Sequence, residues 1–366
     1  MSFFPTLATG TFQQTFLSKQ GEFMQNKVLV AMSGGVDSSV AAYLMKNQGF
    51  EVSGAIMHLL SSSCIGADDA RLVCEKLGID FSVFDMRTEF ENRVISSFVS
   101  AYENGLTPNP CIECNRYMKF SAFMKEAETI GIKNIATGHY AQSVCENGQY
   151  YLKKGFDKSK DQTYFLYHLK REQLSRVFFP LGDMNKDEIR KIAEENGFVN
   201  AHKKDSQDIC FVPDGNYISV IKNYTNKTYP QGDFVDMSNN KIGTHQGIIN
   251  YTVGQRKGLG QGFGKRLYVH SKNPLTNQVV LADDKELFSD RLTASDFNWL
   301  TFDKAPEKLK AYAKIRYSAT ETPCTVHAIE EDKFLVEFDS PQRAIAKGQA
   351  IVIYDGDYVL GGGTIV

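Results

Sequence analysis

Two sets of residues in this chain have types and spacings that could do chemistry. The first is Ser33-Gly34-Gly35-Val36-Asp37-Ser38-Ser39, which follows the apolar run "VLVAM" directly. A strand that breaks into paired glycines and then opens a helix presents free N–H groups and a positive dipole end to an anion. A tight strand-to-helix turn is the plain alternative, but Asp37 and two serines at the helix start favour phosphate binding. The lysine that a γ-phosphate loop places beside its final Ser/Thr is missing. A loop that cups a departing pyrophosphate can manage with backbone N–H groups, hydroxyls and a metal ion, so a different bond is expected to break.

The second set is made of thiols. "TPNPCIECNRYMKF" places Cys111 and Cys114 after two prolines and before an expected helix. A C-x-x-C spacing fits half a zinc site, a redox pair or coincidence. Structural zinc wants four ligands, and no second close pair follows, because Cys145 and Cys210 stand singly. A thiol near a helix N-terminus has a lowered pKa, so Cys114 is expected to have thiolate character. Cys210 lies in "KKDSQDICFVPDG" among Lys203, Lys204, Asp205 and Asp208. Buried beside Ile209 and Phe211 it would be inert. Cys64, Cys74, Cys145 and Cys324 read as structural.

The elements that must position these residues alternate. Between Lys27 and about Leu181, apolar runs ("KVLVAM", "EVSGAIMHLL", "DFSVFDM", "NIATGHYA") alternate with helical stretches ("SSVAAYLMKNQG", "DDARLVCEKLG", "KFSAFMKEAETIG"). That spacing predicts an α/β fold with a doubly wound parallel sheet and a ligand at the carboxyl ends of its strands. "NKDEIRKIAEENGF" predicts a helix capped by Asn185. After about Tyr229, Gly-rich stretches and short strands predict two small β-rich domains, the last a β-barrel. The expected boundaries are a leader over 1–26, a catalytic domain over 27–229, a central β domain over 230–286 and a barrel over 287–366.

At 366 residues with a formal net charge of -2, the chain has room for several cores but no global basic field. Any RNA must be held by local clusters such as Lys153, Lys154, Lys158, Lys160, Lys203, Lys204, Arg256, Lys257, Lys265 and Arg266. No run reaches the ~18 apolar residues of a membrane span. The leader lacks a basic, then apolar, signal pattern, so the protein is expected in the cytoplasm with reduced cysteines.

"SGGVDSS" resembles the loop of the PP-loop ATP pyrophosphatases (adenine nucleotide alpha hydrolase-like), which split ATP between its α and β phosphates. The ordered set "AMSGGVDSS", "TPNPCIECNRYMKF", "ATGHYA", "KDQTYFL", "DSQDICFVP", "GQRKGLG", "KIRYS" and "VLGGGTIV" is similar to the bacterial tRNA-specific 2-thiouridylases from Lys27 to the C-terminus. The resemblance implies a tRNA-uridine 2-sulfurtransferase. It would adenylate the C2 oxygen of the wobble uridine (U34) and then transfer sulfur from a cysteine persulfide, releasing AMP and pyrophosphate. The other enzyme reading is a PP-loop adenylating ligase or amidotransferase acting on a small carboxylate, which has no use for paired thiols or a basic β-rich half.

Position by position, the resemblance implies that Ala31, Met32, Ser33, Gly34, Gly35, Val36, Asp37, Ser38, Met57 and Gly138 bind ATP, with Mg2+. Asn109, Pro110 and Cys111 would face the target base. Cys114 and Cys210 would be the catalytic pair, Cys210 carrying the persulfide and Cys114 helping to resolve the S–S bond. Lys160, Asp161, Gln162, Arg316 and Tyr317 would contact tRNA. Many family members carry aspartate where this chain has Cys111, and a thiol replaces a carboxylate only partly as acid or base. Cys111, Cys114 and Cys210 together offer the three thiols of a 4Fe–4S cluster with one open iron. The implied partners are the tRNA anticodon arm and a cysteine desulfurase or persulfide carrier.

Overall fold

A computed structural model describes residues 26–61, 64–203, 208–212, 214–330 and 332–366. Residues 1–25 of the expected leader and the positions of Lys204 and Asp205 therefore lie outside the described residues. The chain divides into two units, the first made of residues up to Arg93, Cys111–Gln207 and Tyr354–Gly361, the second of Val94–Pro110, Asp208–Ile353 and Gly362–Val366.

The first unit is built on strand β1 (Lys27–Met32). Its Val28, Leu29 and Val30 are fully buried, as a central strand covered on both faces requires. Strands β2 (Glu51–His58), β3 (Asp80–Asp85), β4 (Asn134–Thr137) and a two-residue β7 (Val177–Phe178) join it in a parallel sheet of order β3-β2-β1-β4-β7. Helix α1 (Val36–Asn47) sinks Val40, Ala41, Ala42 and Met45 into the core, and α2 (Ala67–Leu77) adds Ala70, Val73 and Cys74. Burying each large apolar side chain contributes roughly 1.5–3 kcal/mol. A hairpin of β5 (Ala141–Glu146) and β6 (Gln149–Lys154) was not expected from the sequence, and Lys153 pairs with Tyr358.

Two β assemblies follow, held by the second unit except for Tyr354–Gly361 of the last two strands, which are assigned to the first. Strands β8 (Gly232–Val235), β9 (Lys241–His245), β10 (Tyr268–Asn273) and β11 (Gln278–Ala282) form a sheet of order β10-β11-β8-β9 around Phe234, Val269, Val279 and Leu281. β12 (Phe288–Trp299), β13 (Lys308–Lys314), β14 (Thr322–Glu330), β15 (Lys333–Arg343), β16 (Ala350–Asp355) and β17 (Tyr358–Ile365) run in the order β12-β15-β14-β13-β16-β17, and β12 pairs with β17 to close the ring. Alternation places Leu309, Ala311 and Ala313 of β13, Val326 of β14, and Phe334 and Val336 of β15 inside. Cys324 joins them, and burial pushes its thiol up to about 12.

Candidate active site

The glycine turn leaves β1 at its carboxyl end, and its shape is dictated by a crossing of two backbones. Gly34 has φ +70°, and a Cβ there would lie 2.3 Å from the Gly66 carbonyl oxygen. Only glycine combines that left-handed conformation with such an approach. The loop then ties itself together through its serines. Ser33 N–H donates to Ser38 Oγ at 3.1 Å, and the Ser38 and Ser39 hydroxyls donate to Gly35 O at 3.1 and 3.0 Å. From outside, Asn200 Nδ2 donates to Gly34 O at 3.2 Å and to Ser39 Oγ at 2.9 Å, and Lys203 Nζ reaches the same Gly34 carbonyl at 3.2 Å.

The register of the sheet brings the other expected nucleotide residues to the same edge. Met32 is level with Ile56, so Met57 follows one residue beyond that register, next to last in β2. Ala31 is level with Thr137, which places Gly138 on the opposite side. Gly138 packs directly on α1, since a Cβ there would lie 2.9 Å from Ser38 N. Ala31 through Ser38, Met57 and Gly138 thus share one edge of one unit.

Sequence reasoning missed the residues that grip Asp37. Lys186 Nζ donates to Asp37 Oδ1 at 2.7 Å, and the Tyr140 hydroxyl donates to the same oxygen at 2.8 Å. Lys186 opens the helix Lys186–Glu195, whose expected Asn185 cap forms a capping box with Glu188. Its side chain is only 10% exposed, and its ammonium lies 5.7 Å from the Tyr140 ring centre. The cation absent from the loop's sequence therefore arrives from another helix. The only sequence signal was a lysine at the first turn of a capped helix, where it opposes the dipole.

Two expected tRNA contacts face inward instead. Asp161 is buried, accepting from the Gly155 N–H at 3.2 Å and the Thr163 hydroxyl at 2.7 Å. Gln162 clamps Tyr140 twice, through Tyr140 N–H to Gln162 Oε1 and Gln162 N–H to Tyr140 O, both 3.0 Å. Lys160 is half-buried on the same loop. The basic clusters are also thinned, because Lys154 is buried on Gly356 O and Lys158, Lys203 and Lys265 pair with Asp357, Asp69 and Asp283. Arg316 and Tyr317, in the second unit, stand exposed in the turn after β13.

The helix expected after Cys114 begins earlier, at Pro110, and continues to Thr129 with a π-helical stretch over Cys114–Ala122. Proline suits a first helical position, since it has no N–H to satisfy. Cys111 is therefore the thiol of the first turn, solvent-exposed, while Cys114 sits one turn on and half-buried. The protein mass around Cys111 raises its thiol pKa, partly countered by Lys119. Lys119 Nζ also donates to His139 Nε2 at 3.2 Å, and His139 Nδ1 lies 2.7 Å from Thr137 Oγ1. Burial, with Lys119 nearby, holds His139 well below its ordinary pKa, so the ring is neutral with its proton on Nδ1.

Asn109 and Cys210 belong to the second unit. The approach to Asn109 is held by Gln349 Nε2 on Thr107 O at 2.9 Å and by Thr107 N–H on Lys347 O at 2.8 Å. Cys210 is exposed, and its neighbours Phe211 and Val212 are the buried anchors, with Phe211 edge-on to Phe98 at 5.2 Å. The inert, buried reading of Cys210 is thereby set aside. Among the described residues, no group of three or more His, Cys, Asp and Glu side chains is placed to hold a metal ion. Of the three thiols named for a cluster, Cys111 and Cys114 belong to the first unit and Cys210 to the second. Among the described residues, no helix is long and apolar enough to cross a membrane.

Family comparisons agree with this architecture. Residues 26–214 match the tRNA methyl transferase HUP domain, 218–283 the tRNA methyl transferase PRC-barrel domain and 289–365 the aminomethyltransferase beta-barrel domain. The chain is 47% identical over 356 residues to a tRNA-specific 2-thiouridylase MnmA of Clostridioides difficile, covering 94% of this chain and 99% of that one. It is 45% identical over 354 residues to the protein of the same name from Clostridium acetobutylicum, covering 93% and 100%. A third, from Carboxydothermus hydrogenoformans, is 47% identical over 356 residues, covering 93% and 98%. With its glycine turn, its C-x-x-C helix and its closing barrel in the family's order over nearly its whole length, this chain belongs to the tRNA-specific 2-thiouridylases.

Proposed function

We propose that this protein uses ATP to convert the C2 oxygen of the wobble uridine of tRNA to sulfur, in the cytoplasm. The observation that supports this best is the convergence of the glycine turn, Met57 and Gly138 on one strand edge, with the Asp37 carboxylate in the first turn of α1. A nucleotide laid there meets the N–H groups of a helix start and the serine hydroxyls. Asp37 is the acid in position to take the magnesium ion that accompanies ATP.

A uracil C2 carbonyl is a weak electrophile with a poor leaving group. Its oxygen attacks the α-phosphorus, pyrophosphate departs, and C2 then carries AMP. The terminal sulfur of a Cys210 persulfide, or sulfide released from it, attacks C2 and AMP leaves. Cys114 then attacks the Cys210 sulfur of the mixed disulfide, which forms a Cys114–Cys210 disulfide and releases the thiouridine, and an external thiol reductant returns the pair to the reduced form. Cys111, with Asn109 and Pro110, faces the base, and its raised pKa suits a protonated thiol there. Lys160, Arg316 and Tyr317 take phosphates or bases of the anticodon arm, with the uridine extruded from its stack. The sulfur comes from a cysteine desulfurase or persulfide carrier.

The carboxylate-ligase alternative leaves both thiols and the barrel without a task. Incubation with ATP, Mg2+, a persulfide donor and unmodified tRNA should yield 2-thiouridine, AMP and pyrophosphate in equal amounts. AMP formation on a carboxylate without thiouridine would overturn the reading.

A further inference from the structure

The loop between β6 and Thr163 turns Asp161 and Gln162 inward and leaves one aromatic ring outside. Phe156 is 64% exposed, on a loop whose backbone is pinned at several points. Phe156 N–H donates to Gly182 O at 2.7 Å, the preceding Gly155 N–H is held by Asp161, and Lys160 N–H donates to Asp157 O at 3.0 Å. The next residue, Asp157, accepts from the Ser159 hydroxyl at 2.6 Å and from the backbone N–H of Lys186. Gly155 packs on Tyr140, since a Cβ there would lie 3.2 Å from the Tyr140 carbonyl. The two residues flanking Phe156 thus rest on Tyr140 and Lys186, the two side chains that meet at Asp37.

Phe156 is the most exposed Phe, Tyr or Trp side chain among the described residues, and it is displayed on a braced backbone. Lys160 stands on the same loop, with Lys153 near the end of β6 and Lys158 paired with Asp357, and these cations suit a polyanion with flat apolar faces. Unstacked bases of single-stranded RNA loops have those faces. We propose that Phe156 is a stacking platform for an unpaired base of the tRNA anticodon loop, beside the nucleotide site. This rests on the tRNA reading above and adds to it a specific base contact that uses neither Lys160 nor the barrel turn.

Binding of an unmodified tRNA transcript to full-length wild type, Phe156→Ala, Phe156→Leu and Phe156→Trp tests it. Alanine should weaken binding by roughly 5- to 150-fold, the range spanned by one base–aromatic stack. Leucine should recover only part of the loss, tryptophan should restore it, and the added Trp fluorescence should be quenched by tRNA. The slope of affinity against salt should stay at the wild-type value in Phe156→Ala, because no phosphate contact is removed. An ATP-analogue affinity equal to wild type would show that the loop has not collapsed. A Phe156→Ala protein that binds tRNA as tightly as wild type, or a tryptophan that tRNA leaves unquenched, would overturn the proposal alone. A wild type that does not bind tRNA would overturn the tRNA reading itself, and the platform with it.

Discussion

Lys186 and Tyr140 meet on a single oxygen of Asp37, at 2.7 and 2.8 Å, from positions 149 and 103 residues away in the chain. The glycine turn has no lysine of its own, and this ammonium, carried by a helix distant in sequence, is held in the first turn of α1. Lys186→Met should lower the rate of AMP formation by about 10²-fold, the scale of losing one preorganised electrostatic contact. Tyr140→Phe, which removes only a hydroxyl, should cost less, about tenfold. Single-turnover AMP release with saturating tRNA measures both, and full activity in Lys186→Met would remove the lysine from the chemistry.

Gly34→Ala should damage the nucleotide loop specifically. A left-handed φ costs a non-glycine residue about 1–3 kcal/mol, before the collision with the Gly66 carbonyl is counted. Loss of ATP-analogue binding with a lowered melting temperature is expected, and calorimetry on the variant would show whether either fails to appear.

The thiols should separate the two halves of the reaction. Cys210→Ser and Cys114→Ser are expected to abolish 2-thiouridine while ATP-analogue affinity stays within twofold of wild type, since the proposed reaction gives both thiols the sulfur step and leaves the nucleotide to the glycine turn. Mass spectrometry of digested tRNA reads the first outcome and calorimetry the second. Thiolation that survives Cys210→Ser would remove the persulfide assignment.

Lys272 gives a pH dependence with a definite sign. Its ammonium donates to Tyr251 O at 2.8 Å and Leu106 O at 3.3 Å, and burial lowers its pKa from 10.5 to about 8. Below pH 8 both states carry the charge, and the native state bears the full burial penalty. Between about 8 and 10.5 the native lysine releases a proton that the unfolded chain keeps, so this contribution to stability rises with pH. The gain is on the order of 3 kcal/mol at most. The stability of wild type relative to Lys272→Met, followed by denaturant unfolding, should climb over that window, and a flat difference would refute it.

How legible the site was depended on sequence distance. The glycine turn and its strand could be read because a buried central strand is an unbroken apolar run and a helix start has its own residue chemistry. The hairpin Ala141–Lys154 had a signal too, Asn147-Gly148 between β-formers, with φ +51° and +78° at the turn. A parallel α/β pattern calls for no antiparallel strands, so this turn stands outside the pattern that predicts the rest of the unit. The two-residue β7 was too short to carry any period. The inward turn of Asp161 and Gln162 could not be read, since polar residues between a lysine and a threonine look exposed until their partners in the fold are known. Lys186 was equally opaque, because its purpose lies in a carboxylate 149 residues away.

The crossing of Gly34 over Gly66 has an evolutionary implication. Main chain meets main chain there with no side chain between, so no single substitution at one site can be compensated by trimming the other. Lineages that keep this nucleotide loop must inherit both glycines as a pair, and a homologue that has lost one should show a rerouted path in the segment before α2.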